Sequence, residues 1–115
     1  MLFRSFKSNC IVLDAYNANP VSMKNAISSV INFPNENKVF ILGDMNELGS
    51  DSEREHIKIG DILQNYNTHL CFFVGMKMKA AHKKKTGSVW VSDLEGLRNE
   101  LKKITINNSD ILIKG

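Results

Sequence analysis

Cysteine is scarce in this 115-residue chain, with only Cys10 and Cys71, and each opens an apolar, strand-like run without a metal-ligating neighbour. That pattern predicts buried thiols of a reducing compartment and excludes a disulfide framework. His56, His69 and His82 are too dispersed to build a zinc site, so no metal ligands are expected here. The longest apolar run falls far short of the roughly 20 residues that span a bilayer. No apolar signal core follows Met1-Leu2-Phe3-Arg4, so the expected location is cytoplasmic. A net charge of only +3 gives no reason to expect nucleic acid or a membrane as partner.

Several catalytic motifs are missing as well. The seven glycines form neither G-x-G-x-x-G nor G-x-x-x-x-G-K, so nothing in the chain cradles phosphates as a Rossmann or P-loop turn does. No serine lies in a G-x-S-x-G elbow, and neither cysteine has a polar, activating neighbourhood. A phosphorylation receiver domain would need an acid after the third main strand; Phe72-Phe73-Val74 ends in Gly75 instead.

What is present alternates regularly. Leu2 to Phe6 is a weak strand that a Lys7-Ser8-Asn9 turn would pair antiparallel with Cys10–Asp14. Further apolar strands are expected at Val39–Leu42, Leu70–Val74, Val89–Val91 and Ile111–Ile113. Between them run four helical patterns. The first starts at Pro20, capped by Asn19 or Ser22, with Met23, Ala26, Ile27, Val30 and Ile31 on one stripe, and Pro34-Asn35 stops it. The second begins in Ser50-Asp51-Ser52, with Glu53 and Glu55 at capping-box spacing, and its stripe is Ile59, Ile62, Leu63 and Tyr66. The third is a short helix over Met76–Lys85. The fourth follows a Ser92-x-x-Glu95 capping box, with Leu94, Leu97, Leu101 and Ile104 facing inward.

Such alternation predicts one α/β domain, Rossmann-like, with three α/β/α layers and a mostly parallel sheet carrying an antiparallel N-terminal edge strand. The right-handed crossover rule places the loops that follow the strands on one edge, where open α/β sheets bind ligands. Two of those loops are polar, 14–20 and 43–49. Asn17 and Asn19 offer amide donors and acceptors, and Tyr16 offers a flat face with a polar tip. Asp44 and Glu47 flank Met45 and suit a cation or an ammonium group. Taken singly, each loop also reads as ordinary turn chemistry. A last apolar strand without a covering helix suggests a piece of a longer protein, with Ile111–Ile113 partly uncovered.

Together and in this order, Asp14-Ala15-Tyr16-Asn17-Ala18-Asn19-Pro20-Val21-Ser22-Met23, Leu42-Gly43-Asp44-Met45-Asn46-Glu47-Leu48-Gly49, Glu55-His56 and Ile111-Leu112-Ile113-Lys114-Gly115 resemble the C-terminal domain of the Mur ligases, most of all the type that adds D-Ala-D-Ala. The resemblance covers residues 1–115, truncated before the family's last helix, with the UDP-sugar and central ATPase domains absent. It implies ATP-dependent amide formation in peptidoglycan synthesis. An acyl phosphate on UDP-MurNAc-tripeptide is attacked by the amine of D-Ala-D-Ala, and ATP phosphates and Mg²⁺ are held by the central domain. By the same resemblance Arg4, Asp14, Tyr16, Asn17 and Asn19 face ATP. Asp44, Glu47, His56 and Lys114 lie toward the dipeptide or the closed interface with the chain's own N-terminal and central domains. No catalytic residue is implied in this chain, and alone it should not turn over. The alternatives are a free-standing α/β small-ligand module and a surface that binds acidic polymers through Lys83, Lys84 and Lys85.

Overall fold

A computed structural model describes residues 8–14 and 18–115, together with the backbone of residues 2–6. Tyr16 and Asn17 fall outside the described residues, as does the Arg4 side chain.

The alternation of apolar runs and helical stripes folds into strands β1 (Leu2–Phe6), β2 (Asn9–Asp14), β3 (Asn37–Gly43), β4 (Leu70–Val74), β5 (Val89–Val91) and β6 (Ser109–Lys114). The helices are α1 (Pro20–Ile31), α2 (Ser52–Gln64), α3 (Lys79–His82) and α4 (Leu94–Leu101). The sheet order is β1-β2-β6-β3-β4-β5. Strands β2 to β6 are mutually parallel, and β1 pairs with β2 antiparallel, Leu2 opposite Leu13.

Side-chain alternation along the strands divides the core in two. One face presents Val12, Leu112, Phe40, Leu42, Cys71 and Phe73 to Met23, Ala26, Ile27 and Val30 of α1, Ile59 and Leu63 of α2, and Ala81 of α3. The other presents Ile111, Val39, Ile41 and Phe72 to Leu97 and Leu101 of α4 and to Ile106. Strands wrapped on both faces are apolar throughout, which is why β3 reads Val-Phe-Ile-Leu without alternation.

The last strand holds the centre of the sheet, hydrogen-bonded to β2 on one side and β3 on the other. Ile111 and Leu112 are buried, while Ile113 is half-buried beside Leu13 of β2, which is 41 % exposed, so only the end of the stretch is partly uncovered. Burial raises the Cys71 thiol to about 12, opposed by the Lys85 charge, and Cys10 is half-buried.

Asn19 is the cap of α1: its Oδ1 accepts the Ser22 N–H (2.9 Å), while Ser22 Oγ accepts the Asn19 N–H (3.0 Å). The other two caps differ from expectation. A 3₁₀ turn over Gly49–Asp51 leads into α2, whose N-cap Asp51 makes no side-chain cap bond. At α4 the cap is Asp93, one residue later than Ser92, accepting the Gly96 N–H at 2.9 Å. Leu94 is the first residue of α4 and is 74 % exposed, while Leu97 and Leu101 pack inward as expected. Ile104 lies past the helix end, Tyr66 lies past the end of α2 and is exposed, and α3 is a single turn within 76–85.

Candidate functional site

The carboxyl ends of β2, β6 and β3 stand side by side, with Asp14 opposite Lys114 and Lys114 opposite Leu42. From that edge the chain leaves β2 toward the Asn19 cap and leaves β3 into 44–48. The two segments meet there: Ala18, Asn19, Asn46, Glu47 and Leu48 line one cavity of about 360 Å³. Glu47 is exposed and has φ +63, a left-handed conformation uncommon for a glutamate. Asn46, which nothing in the sequence marks out within its polar loop, joins the expected Glu47 on this wall.

Other residues of the expected site are tied to the protein itself. The Asp14 carboxylate and the Lys114 ammonium form an ion pair at 2.9 Å, with side chains 11 % and 1 % exposed. Asp44 accepts the Met78 N–H through Oδ1 at 2.9 Å and so anchors the loop ahead of α3. Gly75, with φ +112, leaves the space that the Asp44 carboxylate fills; a Cβ there would collide with it. His56 is fully buried. Its Nε2 accepts the Met45 N–H at 3.0 Å and its Nδ1 donates to the Ser52 carbonyl at 2.6 Å. Those two partners select the tautomer with hydrogen on Nδ1 and bind the start of the 44–48 loop to the first turn of α2.

Sequence reasoning missed the opposite edge of the sheet. There Lys38 and Asp110 form a buried ion pair at 2.7 Å, completed by the Phe33 carbonyl on Lys38 Nζ and by the backbone and side-chain N–H groups of Asn35 on Asp110. The only hint was a charged residue immediately before each of two apolar runs, Val39–Leu42 and Ile111–Ile113. This cluster fixes the β3–β6 register far from the polar loops.

Among the described residues no group of three His, Cys, Asp or Glu side chains is placed to hold a metal ion, and no helix is long and apolar enough to cross a membrane. Among its described residues, the cavity between the two polar segments offers the Asn46 amide, the Glu47 carboxylate and backbone groups to a ligand.

Residues 2–115 match the family described as Mur ligase, glutamate ligase domain. The chain belongs to this family. It is 28 % identical over 114 residues to the UDP-N-acetylmuramoyl-tripeptide–D-alanyl-D-alanine ligase of Rickettsia prowazekii, covering 96 % of this chain and 25 % of that protein. To the enzyme of the same name from Buchnera aphidicola it is 37 % identical over 104 residues, covering 87 % of this chain and 22 % of that one. Among solved structures it resembles MurF from Acinetobacter baumannii, with TM-score 0.84, 27 % identity, and 99 % and 26 % of the two chains covered. In fold it also matches the MurF ligase of Thermotoga maritima in complex with ADP, with TM-score 0.82, 24 % identity, and 98 % and 26 % covered. The chain spans about a quarter of the length of the curated relatives it matches. The described parts of the two polar loops lie on one edge of the sheet, as the crossover rule expects.

Proposed function

We propose that this chain is the C-terminal domain of a cytoplasmic, ATP-dependent MurF-type ligase that joins D-Ala-D-Ala to UDP-MurNAc-tripeptide. The observation that carries the reading is the shared cavity between the segment before α1 and the loop after β3, in a chain whose relatives over nearly its whole length are ligases of that name.

In this reading the catalytic P-loop and the Mg²⁺ site belong to other domains of the whole protein. The γ-phosphoryl group of ATP passes to the tripeptide carboxyl, the dipeptide amine attacks the acyl phosphate, and inorganic phosphate leaves. Such chemistry depends mainly on positioning and charge. Arg4, Asp14, Tyr16, Asn17 and Asn19 form the nucleotide side, Asn19 through the α1 start that it caps. Of Asp44, Glu47, His56 and Lys114, only Glu47 is both exposed and on the cavity wall. Glu47 is therefore the residue assigned to the dipeptide ammonium, which must lose a proton before attack. Asp44, His56 and Lys114 act by holding the loop and strand ends in place.

The test uses the whole protein that carries this chain, supplied with ATP, Mg²⁺, UDP-MurNAc-tripeptide and D-Ala-D-Ala. Expected is ADP release coupled to formation of the dipeptide-extended product, seen by mass spectrometry. ADP release that ignores the dipeptide, or absence of the extended product, would refute the assignment.

A further inference from the structure

A second cavity, of about 460 Å³, lies beside the first on the same edge of the sheet. Gly49, Ser50, Ser52 and Glu53, which follow β3, form one wall; Met76, Lys77, Lys79, Ala80 and Lys83, which follow β4, form the other. Three lysines thus line it against one acid. Among the described residues none of the three ammonium groups has a carboxylate partner, although four other lysines do.

Two of the three are nevertheless held in place. Lys77 Nζ donates to Asn46 Oδ1 at 3.0 Å, and the Lys79 ammonium stands 4.9 Å from the centre of the Trp90 ring. Trp90 is itself fixed by its indole N–H, which donates to the Gly75 carbonyl at 2.7 Å. Unpaired lysines on a surface normally wander to screen themselves in water. Here neutral partners restrain them, so their positive charge stays uncompensated beside a concave wall that also offers the Ser50 hydroxyl. Such a wall focuses a positive field. Asn46 belongs to the first cavity and Lys77 to the second, so their hydrogen bond joins the two into one ledge.

We propose that this lysine-lined cavity binds the acidic group, phosphate or carboxylate, of a small ligand. The inference rests on these residues alone and does not require the ligase reading. It is tested on the 115-residue chain by amide NMR titration with inorganic phosphate and, separately, acetate, at ionic strength held constant with sodium chloride. Expected are saturable shifts at Ser50, Ser52, Glu53, Lys77 and Lys79. In Lys77→Gln/Lys83→Gln the affinity should fall about fivefold or more, while Lys102→Gln/Lys103→Gln, just past the end of α4 on the opposite face of the sheet, should leave it unchanged. Tighter binding of phosphate than acetate would name the phosphate-bearing ligand, and the reverse a carboxylate. Shifts that never saturate, or that persist undiminished in the Lys77/Lys83 variant, would overturn the proposal.

Discussion

Lys114 and Asp14 end two adjacent parallel strands and spend their charges on each other, ammonium to carboxylate at 2.9 Å. The pair stands at the strand ends from which both polar loops leave, and it lines a neighbouring cavity with Gly43, Leu94 and Gly115. Removing one partner strands a nearly buried charge, whereas removing both does not. Lys114→Met should therefore cost about 3–5 kcal/mol in denaturant unfolding. The double variant Asp14→Leu/Lys114→Met should cost clearly less than the sum of the two single changes. Additive costs would show that the two groups work independently.

His56 gives a second prediction. It spans from the Met45 N–H to the Ser52 carbonyl, so His56→Ala removes two hydrogen bonds and opens a cavity. The expected loss is about 2–4 kcal/mol. Hydrogen exchange at the Met45 amide should accelerate beyond what global destabilisation explains; an unchanged Met45 rate relative to the core would contradict the bridge.

Gly75 and Gly87 both have positive φ, +112 and +81, but only Gly75 faces an obstacle, the Asp44 carboxylate. Alanine at either position carries backbone strain of about 1 kcal/mol or more. Gly75→Ala should be the costlier by thermal denaturation, because it also displaces the acceptor of the Met78 N–H. Equal costs would mean that Asp44 is free to move away.

Cys71 titrates far above a free thiol, near 12 against a reference of 9.0, because burial opposes its thiolate. Below pH 9 both folded and unfolded chains keep the proton and nothing changes. Between about 9 and 12 only the unfolded chain releases it, so stability should fall with rising pH, by about 1.4 kcal/mol per pH unit. The difference in unfolding free energy between the native chain and Cys71→Ala should show that slope above pH 9 and be flat below it. A flat difference throughout would show that the thiol is not held protonated by the fold.

Much of this arrangement is legible in residue order. The Met23–Ala26–Ile27–Val30 stripe, the Asn19-Pro20 start and the unbroken Val39–Leu42 run need only local periodicity and capping chemistry, and each appears as read. The loops' meeting follows from handedness, which places both on one edge. What escaped was non-local or finely balanced. Lys38 and Asp110 are separated by 72 positions, and nothing local says that they touch. The α4 cap is Asp93 and not Ser92, a choice made by which side chain reaches the Gly96 N–H. The central place of β6 is a matter of strand order, which apolarity alone does not encode. The resemblance turns Asp44 and His56 toward the dipeptide or the closed interface, but composition cannot tell a carboxylate aimed at a ligand from one aimed at the Met78 N–H.

On the proposed reading, the two loops on this edge contact two different substrates of a ligase. Kinetics of the whole protein test it most directly, comparing Asn17→Ala with Glu47→Gln. Asn17→Ala is expected to raise KM for ATP with little change in KM for D-Ala-D-Ala, and Glu47→Gln to do the reverse. Both constants unchanged in both variants, in a protein that still forms product, would contradict it.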